Sequence, residues 1–112
     1  MKRVTLLTVL ALGTSLSLAT AFAADAKDNY EKLCTKCHGA EGKGDTKMGQ
    51  KLKAKDYSDP KVQDALKDDA AFKSIKEGLK DKEADKPLMK PFTDLSDDEI
   101  KALVAYMRKF KK

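Results

Sequence analysis

Two cysteines and one histidine lie within five residues, in the segment Cys34-Thr35-Lys36-Cys37-His38, and the chain contains no other Cys or His. Two thiols at this spacing, at the end of a helix, can add to the two vinyl groups of one haem. The adjacent imidazole is then directed at the iron. The pattern C-x-x-C-H is that of c-type haem attachment. It predicts thioether bonds from Cys34 and Cys37 and an axial iron ligand in His38.

Three other interpretations of the cysteine pair are open. A thioredoxin-like redox disulfide has this spacing, but it belongs in a βαβ context that the sequence lacks. A zinc site needs two further ligands, and no other Cys or His is available. A plain structural disulfide is common in exported proteins. Haem attachment is the preferred prediction because motif, export signal and helical pattern agree on it.

The N-terminus has the organisation of an export signal. Two basic residues follow the initiator Met, an apolar run covers 4–18, and the small-x-small sequence A-F-A stands at 21–23. An uncleaved membrane anchor is the alternative, but the run is short for spanning and no basic flank follows it. We therefore expect cleavage of residues 1–23. Residues 24–112 are then one soluble domain in the periplasm.

The composition limits the class of protein. The 112 residues are 37% charged, with a net charge of +5, which falls to +3 when the two basic residues of the leader are lost. The length is too short for a Rossmann or barrel enzyme, and one His excludes metal sites with several imidazoles. A domain this small and polar needs a stabilising group besides its apolar core.

Helical periodicity runs through the mature segment, and no stretch alternates with period two. A first helix is predicted over 26–37 with Asp25 as its N-cap, and a glycine-rich basic loop follows over 39–57. Two short helices come next, one with Pro60 at its first position and one that begins at Asp68 or the residue after it. The predicted inward positions of these two helices are Val62, Ala65, Leu66, Phe72, Ile75 and Leu79.

The C-terminal helix has the clearest start signal in the chain. Ser96 is the predicted N-cap, Glu99 completes a capping box, and Leu95 with Ile100 forms a hydrophobic staple. A polar loop over 80–94 precedes this helix, and its prolines exclude a regular helix there. The predicted fold class is therefore all-α, without a β-sheet.

The mature segment resembles the small monohaem class I cytochromes c over nearly all of 24–112. The resemblance lies in the haem motif with Tyr30 four residues before it, in M-K-P-F over 89–92, and in the pattern of the last helix over 95–106. It implies the cytochrome c fold, with four or so short helices wrapped around one covalently bound haem. It also implies a crossing of the first and last helices, where Ala26 replaces the Gly of many members. The implied crossing residues are Ala26, Tyr30, Leu103 and Tyr106.

The second axial ligand has three thioether candidates, Met48, Met89 and Met107. Met107 lies on the apolar face of the last helix, where core packing is the expected role. Met89 lies on an irregular, proline-stiffened loop, and its position and the resemblance both favour it as the iron ligand. Met48 or a lysine is the alternative ligand.

Two contacts around the haem are less defined by the sequence. Tyr57 is a candidate hydrogen-bond donor to a haem propionate, and a half-buried loop aromatic is an equal alternative. The resemblance implies that a backbone carbonyl soon after the motif, often at a proline, accepts a hydrogen bond from the ligand imidazole. No proline precedes Pro60 in this loop, so the sequence does not identify that partner.

The expected function is one-electron transport, not enzymatic catalysis. The resemblance implies a soluble monomer with one covalent haem c, whose iron is ligated by His38 and Met89 and which shuttles electrons between redox proteins. The alternative is a haem-based sensor or peroxidase-like protein with a labile sixth ligand. A third possibility is a haem-bearing subunit of a larger oxidoreductase.

Lysines cluster in the two segments expected to rim the haem. As a group they predict docking onto acidic surfaces of redox partners, whereas a solvated surface is the simpler explanation of any single lysine. Export and interleaved acidic residues argue against nucleic acid as a partner, and stable membrane insertion is not expected. The clustered residues are Lys36, Lys43, Lys47, Lys51, Lys53, Lys55, Lys86 and Lys90.

Overall fold

A computed structural model describes Gly13 and residues 17–112. Within 17–112, side chains are described from residue 25 onward. Within this part the chain forms six helices and one antiparallel hairpin between the last two helices. None of the described helices is long and apolar enough to cross a membrane. The elements are α1 (Ser17–Leu33), α2 (Thr35–His38), α3 (Lys47–Lys51), α4 (Pro60–Ala65), α5 (Asp68–Glu77), β1 (Leu79–Asp81), β2 (Lys86–Met89) and α6 (Asp97–Arg108).

The first helix differs from the prediction at both ends. It begins at Ser17, so Asp25 is an exposed residue within the helix and not its N-cap. Alanines before Asp25 favour helix, and an existing helix extends readily through such residues. The helix ends at Leu33, and Cys34 caps the separate helix α2. The predicted export signal over 1–23 lies largely outside the described residues.

Helices α1 and α6 cross in the core. Ala26, Tyr30 and Leu103 are all buried, and the rings of Tyr30 and Tyr106 lie 5.1 Å apart between centroids. Only 2% of Ala26 is exposed, so its methyl group is buried at the position where the resemblance implies glycine in many members. These positions agree with the crossing that the resemblance implies.

The start signals of the later helices are confirmed. Ser96 and Glu99 form the reciprocal capping box of α6, and Pro60 stands in the first turn of α4 behind the N-cap Asp59. Caps of this kind satisfy backbone N–H groups that have no partner inside the helix. Helix α5 begins at Asp68, as predicted.

The predicted inward positions are only partly right. Ile75 is buried and Phe72 is half-buried, but Leu79 is 45% exposed because it lies on β1 and not on α5. In α4, Ala65 is exposed and the polar Gln63 is buried in its place. A hydrophobicity pattern cannot predict the burial of Gln63, because that burial depends on hydrogen bonds to other segments.

The prediction of no β-sheet is wrong for residues 79–89. Strands β1 and β2 pair with an irregular register, and Pro87 lies opposite Lys80. Proline fits an edge strand, and both strands of a two-stranded sheet are edges. The Asp81 carboxylate closes the turn by accepting hydrogen bonds from the backbone N–H groups of Glu83 and Ala84. The prolines therefore exclude a helix here but not a strand.

Candidate functional site

Helix α2 is one turn long and carries the cysteine–histidine motif. The backbone N–H of His38 donates to the backbone carbonyl of Cys34 at 2.9 Å, and this bond closes the turn. Cys34 and Cys37 are free thiols, and both are half-buried. Residues three and four apart on a helix are neighbours on its surface. The turn therefore presents two thiols and one imidazole on a single short segment.

A second short helix, α3, fastens the end of α2. The hydroxyl of Thr46 donates to the carbonyls of Lys36 and Cys37, at 2.8 and 2.9 Å, and accepts from the Gly49 N–H at 2.9 Å. Carbonyls at the end of a helix have no partner within it. The sequence prediction of a loop over 39–57 missed this contact, although Thr46 is a favoured N-cap residue that could have indicated α3.

Gly49 allows the close approach between α3 and α2. A Cβ built at this position would lie less than 2.5 Å from the Cys37 carbonyl oxygen and 2.6 Å from that of Gly44. Both obstacles are backbone atoms, so a Cβ at this position could be accommodated only if α3 moved away from them.

Replacement of Gly49 with alanine is expected to lower the free energy of unfolding by about 1–3 kcal/mol. It should also lower the yield of covalent haem, because the carbonyl that it displaces belongs to Cys37. Urea unfolding and haem quantification per polypeptide measure the two effects. Lys51→Ala, at an exposed position of the same helix, is the control and should change neither. Wild-type stability in Gly49→Ala would contradict the packing described here.

Tyr30 ties α1 to the residue that follows the motif. Its hydroxyl donates to the Gly39 carbonyl at 2.6 Å in a buried hydrogen bond, and its ring lies 5.1 Å from that of Phe110. Burial, with smaller contributions from Cys34 and other neighbours, raises the pKa of the Tyr30 phenol. The hydroxyl therefore stays protonated, and it remains a donor at every physiological pH.

Tyr30→Phe is expected to reduce the free energy of unfolding by about 1 kcal/mol, because the buried Gly39 carbonyl loses the hydroxyl donor and keeps only the Gly42 N–H at 3.2 Å. Thermal and urea unfolding of the haem-loaded protein measure the change. Tyr106→Phe, in the same aromatic cluster but only half-buried, is the matched control and should cost less. Equal losses of unfolding free energy in the two variants would show that the hydrogen bond from Tyr30 to Gly39 does not contribute to stability.

His38 is half-buried at the end of α2. Burial lowers the pKa of its imidazole, which favours the neutral form that binds metals. Its Nδ1 atom is buried and has no hydrogen-bond partner among the described residues, so they do not supply the carbonyl partner that the resemblance implies. The Tyr57 ring lies 5.7 Å from the imidazole, tilted by 48°. A neutral, sheltered imidazole beside two thiols suits a covalent haem.

The Cys34 thiol has the wrong electrostatics for a redox disulfide. Burial, and to a lesser degree the nearby Cys37, raise its pKa to about 11. Cysteines of thioredoxin-like motifs are activated by a lowered pKa, because the thiolate is the nucleophile. In addition, the described residues contain no group of three or more His, Cys, Asp and Glu side chains that could hold a metal ion. The raised pKa of Cys34 therefore does not favour a redox disulfide of the thioredoxin type.

Met89 lies at the end of β2, half-buried against the hydrophobic core cluster that Cys34 and Tyr57 also contact. The segment that contains it is held at two points. Leu79 pairs with it across the hairpin, and the Phe92 N–H donates to the Ile75 carbonyl at 3.0 Å. The structure therefore places this candidate ligand on an anchored segment.

Gly78 permits the approach of the Met89 segment to α5. Its φ is +78°, and a Cβ there would lie 2.6 Å from the Met89 carbonyl oxygen and 2.8 Å from the nitrogen of Pro91. Of the other thioethers, Met107 is buried in the core, as predicted, and Met48 is half-buried on α3. The backbone of Met89 therefore packs directly against Gly78 at the end of α5.

The chain is similar to known c-type cytochromes. The family model described as cytochrome c oxidase, cbb3-type, subunit III, matches residues 21–107. The solved structure of the KustC0563 c-type cytochrome is 35% identical, with a TM-score of 0.68, and the match covers 79% of this chain and 99% of that one. A tyrosine-to-phenylalanine mutant of that protein is 33% identical, with a TM-score of 0.65 and coverage of 78% and 99%. No curated protein matches. The region matched by the family model includes every candidate site residue.

Proposed function

This chain belongs to the cytochrome c family, and we propose that it is a soluble one-electron carrier with one covalently attached haem c. The observation that carries the proposal is helix α2, which presents two free thiols and a sheltered, neutral imidazole in one turn. When bound, haem supplies a one-electron iron couple. The chain's own contribution is to hold the group, to supply its axial ligands and to exclude water.

Each site residue has one proposed role. Cys34 and Cys37 hold the haem through thioether bonds, His38 is the proximal iron ligand and Met89 the distal one. Tyr57 is a candidate donor to a propionate. Met/His ligation suits an electron carrier, because it raises the reduction potential. Anchoring of the Met89 segment at Met89 itself and at Phe92 supports a ligand that stays in place.

That anchoring favours a carrier over a sensor or peroxidase-like protein, whose sixth ligand must leave to admit a small molecule. The alternative of a subunit in a larger oxidoreductase takes its support from the description of the matching family model. The matching structure of the KustC0563 c-type cytochrome is covered over 99% of its length, so the likeness extends over a whole cytochrome domain. We therefore propose a monomer that acts between redox partners and is not itself an enzyme.

The proposed location is the periplasm, with residues 1–23 removed as a signal peptide and 24–112 left as the cytochrome c domain. The support is the basic start, apolar run and A-F-A site of the leader. The mass of the exported protein tests this directly. A mature chain that begins at Ala24 is expected, and retention of the leader would contradict the proposal.

A spectroelectrochemical titration of the exported, haem-loaded protein tests the function. One reversible wave with a one-electron Nernst slope is expected, together with elution as a monomer in size exclusion. Catalytic peroxide reduction at a rate well above that of free haem would contradict the carrier and favour the peroxidase-like alternative. Elution only as part of a larger complex would favour the subunit.

The clustered lysines support partners with acidic docking surfaces. Lys47 and Lys51 are exposed on α3, which packs beside α2. Of the eight clustered lysines, only Lys43 forms an ion pair within the described residues, with Glu41 at 3.0 Å. The other charges are available to steer association, and such steering weakens as salt screens it.

Charge reversal at Lys47 and Lys51 is expected to lower the rate of association with the redox partner by about tenfold at low salt. Stopped-flow electron transfer over a series of salt concentrations measures the rate. Lys61→Glu with Lys73→Glu, at exposed positions of α4 and α5, is the charge-matched control. A wild-type rate that stays flat or rises with salt would contradict docking onto acidic surfaces.

A further inference from the structure

Gln63 is the most deeply buried polar side chain in the described part of the molecule, and only 3% of it is exposed. Its amide nitrogen donates to the backbone carbonyls of Tyr57, at 2.6 Å, and Met107, at 2.9 Å. Its amide oxygen accepts from Arg108 at 3.0 Å. Both N–H donors and the carbonyl acceptor of the amide are therefore used. The side chain is locked between α4 and the last turn of α6.

What Gln63 holds is the backbone of Tyr57, just before α4. The Tyr57 N–H donates to the Gly42 carbonyl at 2.7 Å, and its own carbonyl accepts from Gln63. With both backbone groups fixed, the direction in which the side chain leaves the backbone is fixed as well. The Tyr57 ring is half-buried, and its centroid lies 5.7 Å from that of the His38 imidazole.

Within the described residues, no hydrogen bond to Nδ1 orients the imidazole of His38. A ligand histidine is ordinarily oriented by a hydrogen bond from its second ring nitrogen, whereas Nδ1 of His38 is buried without a partner among the described residues. The neighbouring Tyr57 ring is therefore a contact through which the surrounding structure can set the plane of the imidazole.

We propose that Gln63 is a positioning residue that sets the orientation of the proximal imidazole by fixing Tyr57. The inference rests on the proposed function, because it takes His38 as an iron ligand. Arg108 braces the arrangement from outside. It donates to the backbone carbonyls of Gln63, at 2.6 Å, and Leu66, at 2.5 Å, and it pairs with Asp68 at 2.7 Å.

The test compares Gln63→Met with the wild type, both exported and haem-loaded. Methionine keeps the length of the side chain but cannot donate to either carbonyl. The ferric EPR g values report the orientation of the axial ligand planes, so a shift in these values is expected. Loss of the proton NOE contacts between the Tyr57 and His38 rings is also expected. Unchanged g values with intact NOE contacts would overturn the proposal.

Arg108→Met is the matched control. It removes the hydrogen bonds to the backbone carbonyls of Gln63 and Leu66 and the one to the Gln63 amide oxygen, but it leaves both amide donors of Gln63 in place. Stability is expected to fall in this variant while the g values stay at the wild-type position. An equal shift of the g values in both variants would mean that general loosening produces the effect, and it would overturn the specific role of Gln63.

A double-mutant comparison separates the route through Tyr57 from other routes. In a Tyr57→Leu background, Gln63→Met is expected to cause no further shift, and an additive shift would overturn the proposal. If Gln63→Met does not fold, Gln63→Glu replaces it, since it keeps the Arg108 contact but cannot donate, and the same outcomes apply. Wild-type protein without covalent haem would instead refute the proposed function, so the two failures are distinguishable.

Discussion

Replacement of Met89 with alanine is expected to abolish the sulfur–iron charge-transfer band of the oxidised protein. The reduction potential should fall by on the order of 0.1 V, because axial-ligand identity sets haem potentials over a range of about 0.8 V. Carbon monoxide should then bind the reduced variant, since a position on the iron is open. Absorbance spectra and potentiometric titration measure all three changes.

Met48→Ala is the matched control, because Met48 is the other half-buried thioether outside the α6 core. It should leave the band and the potential at wild-type values. Gly78→Ala offers a second way to disturb the same ligand, since its Cβ would collide with the backbone at Met89 and Pro91. A weakened band is expected in that variant. Loss of the band in Met48→Ala, with its retention in Met89→Ala, would reassign the ligand.

Replacement of both Cys34 and Cys37 with alanine is expected to abolish covalent haem, so that no haem remains on the polypeptide after denaturation. Each single variant should retain one thioether and a lower yield. The folded state then loses the apolar faces of the haem, and a domain this small and polar depends on such a group besides its own core, so the double variant should be strongly destabilised.

Lys36→Ala is the control for the cysteine variants, because it changes an exposed residue between the two thiols and leaves both of them intact. Haem staining of denaturing gels and mass spectrometry compare the set. Wild-type haem content in the double alanine variant would refute attachment through this motif. Wild-type protein with a disulfide between Cys34 and Cys37 and no haem would support the plain structural alternative.

The elements with local start signals could be predicted from the sequence. The capping box of Ser96 and Glu99, and Asp59 before Pro60, act over a few residues, so the sequence contains the whole interaction. Pro87 lies in a strand where the sequence predicts a loop. A proline excludes a helix, but it does not decide between a loop and an edge strand. The hairpin depends on pairing of Leu79 with Met89, which no local pattern expresses.

The candidate site residues could be named from the sequence, but the contacts that hold them in place could not. The motif residues follow from residue types and spacing. Thr46, which holds the end of α2, acts through hydrogen bonds to residues about ten positions away. Gln63 joins a loop to α6 across 44 positions, and its burial contradicts its polarity until those partners are known. Such contacts exist only once the fold has formed.

The central claim is that this chain carries one covalent haem with a fixed sixth ligand. The most direct test is the absorbance spectrum of protein exported together with haem-maturation machinery, recorded oxidised, then reduced, then with carbon monoxide. Sharp c-type bands, a sulfur–iron band in the oxidised form and indifference to carbon monoxide are expected. Covalent haem that binds carbon monoxide readily would contradict the fixed ligand, and the absence of covalent haem would contradict the whole account.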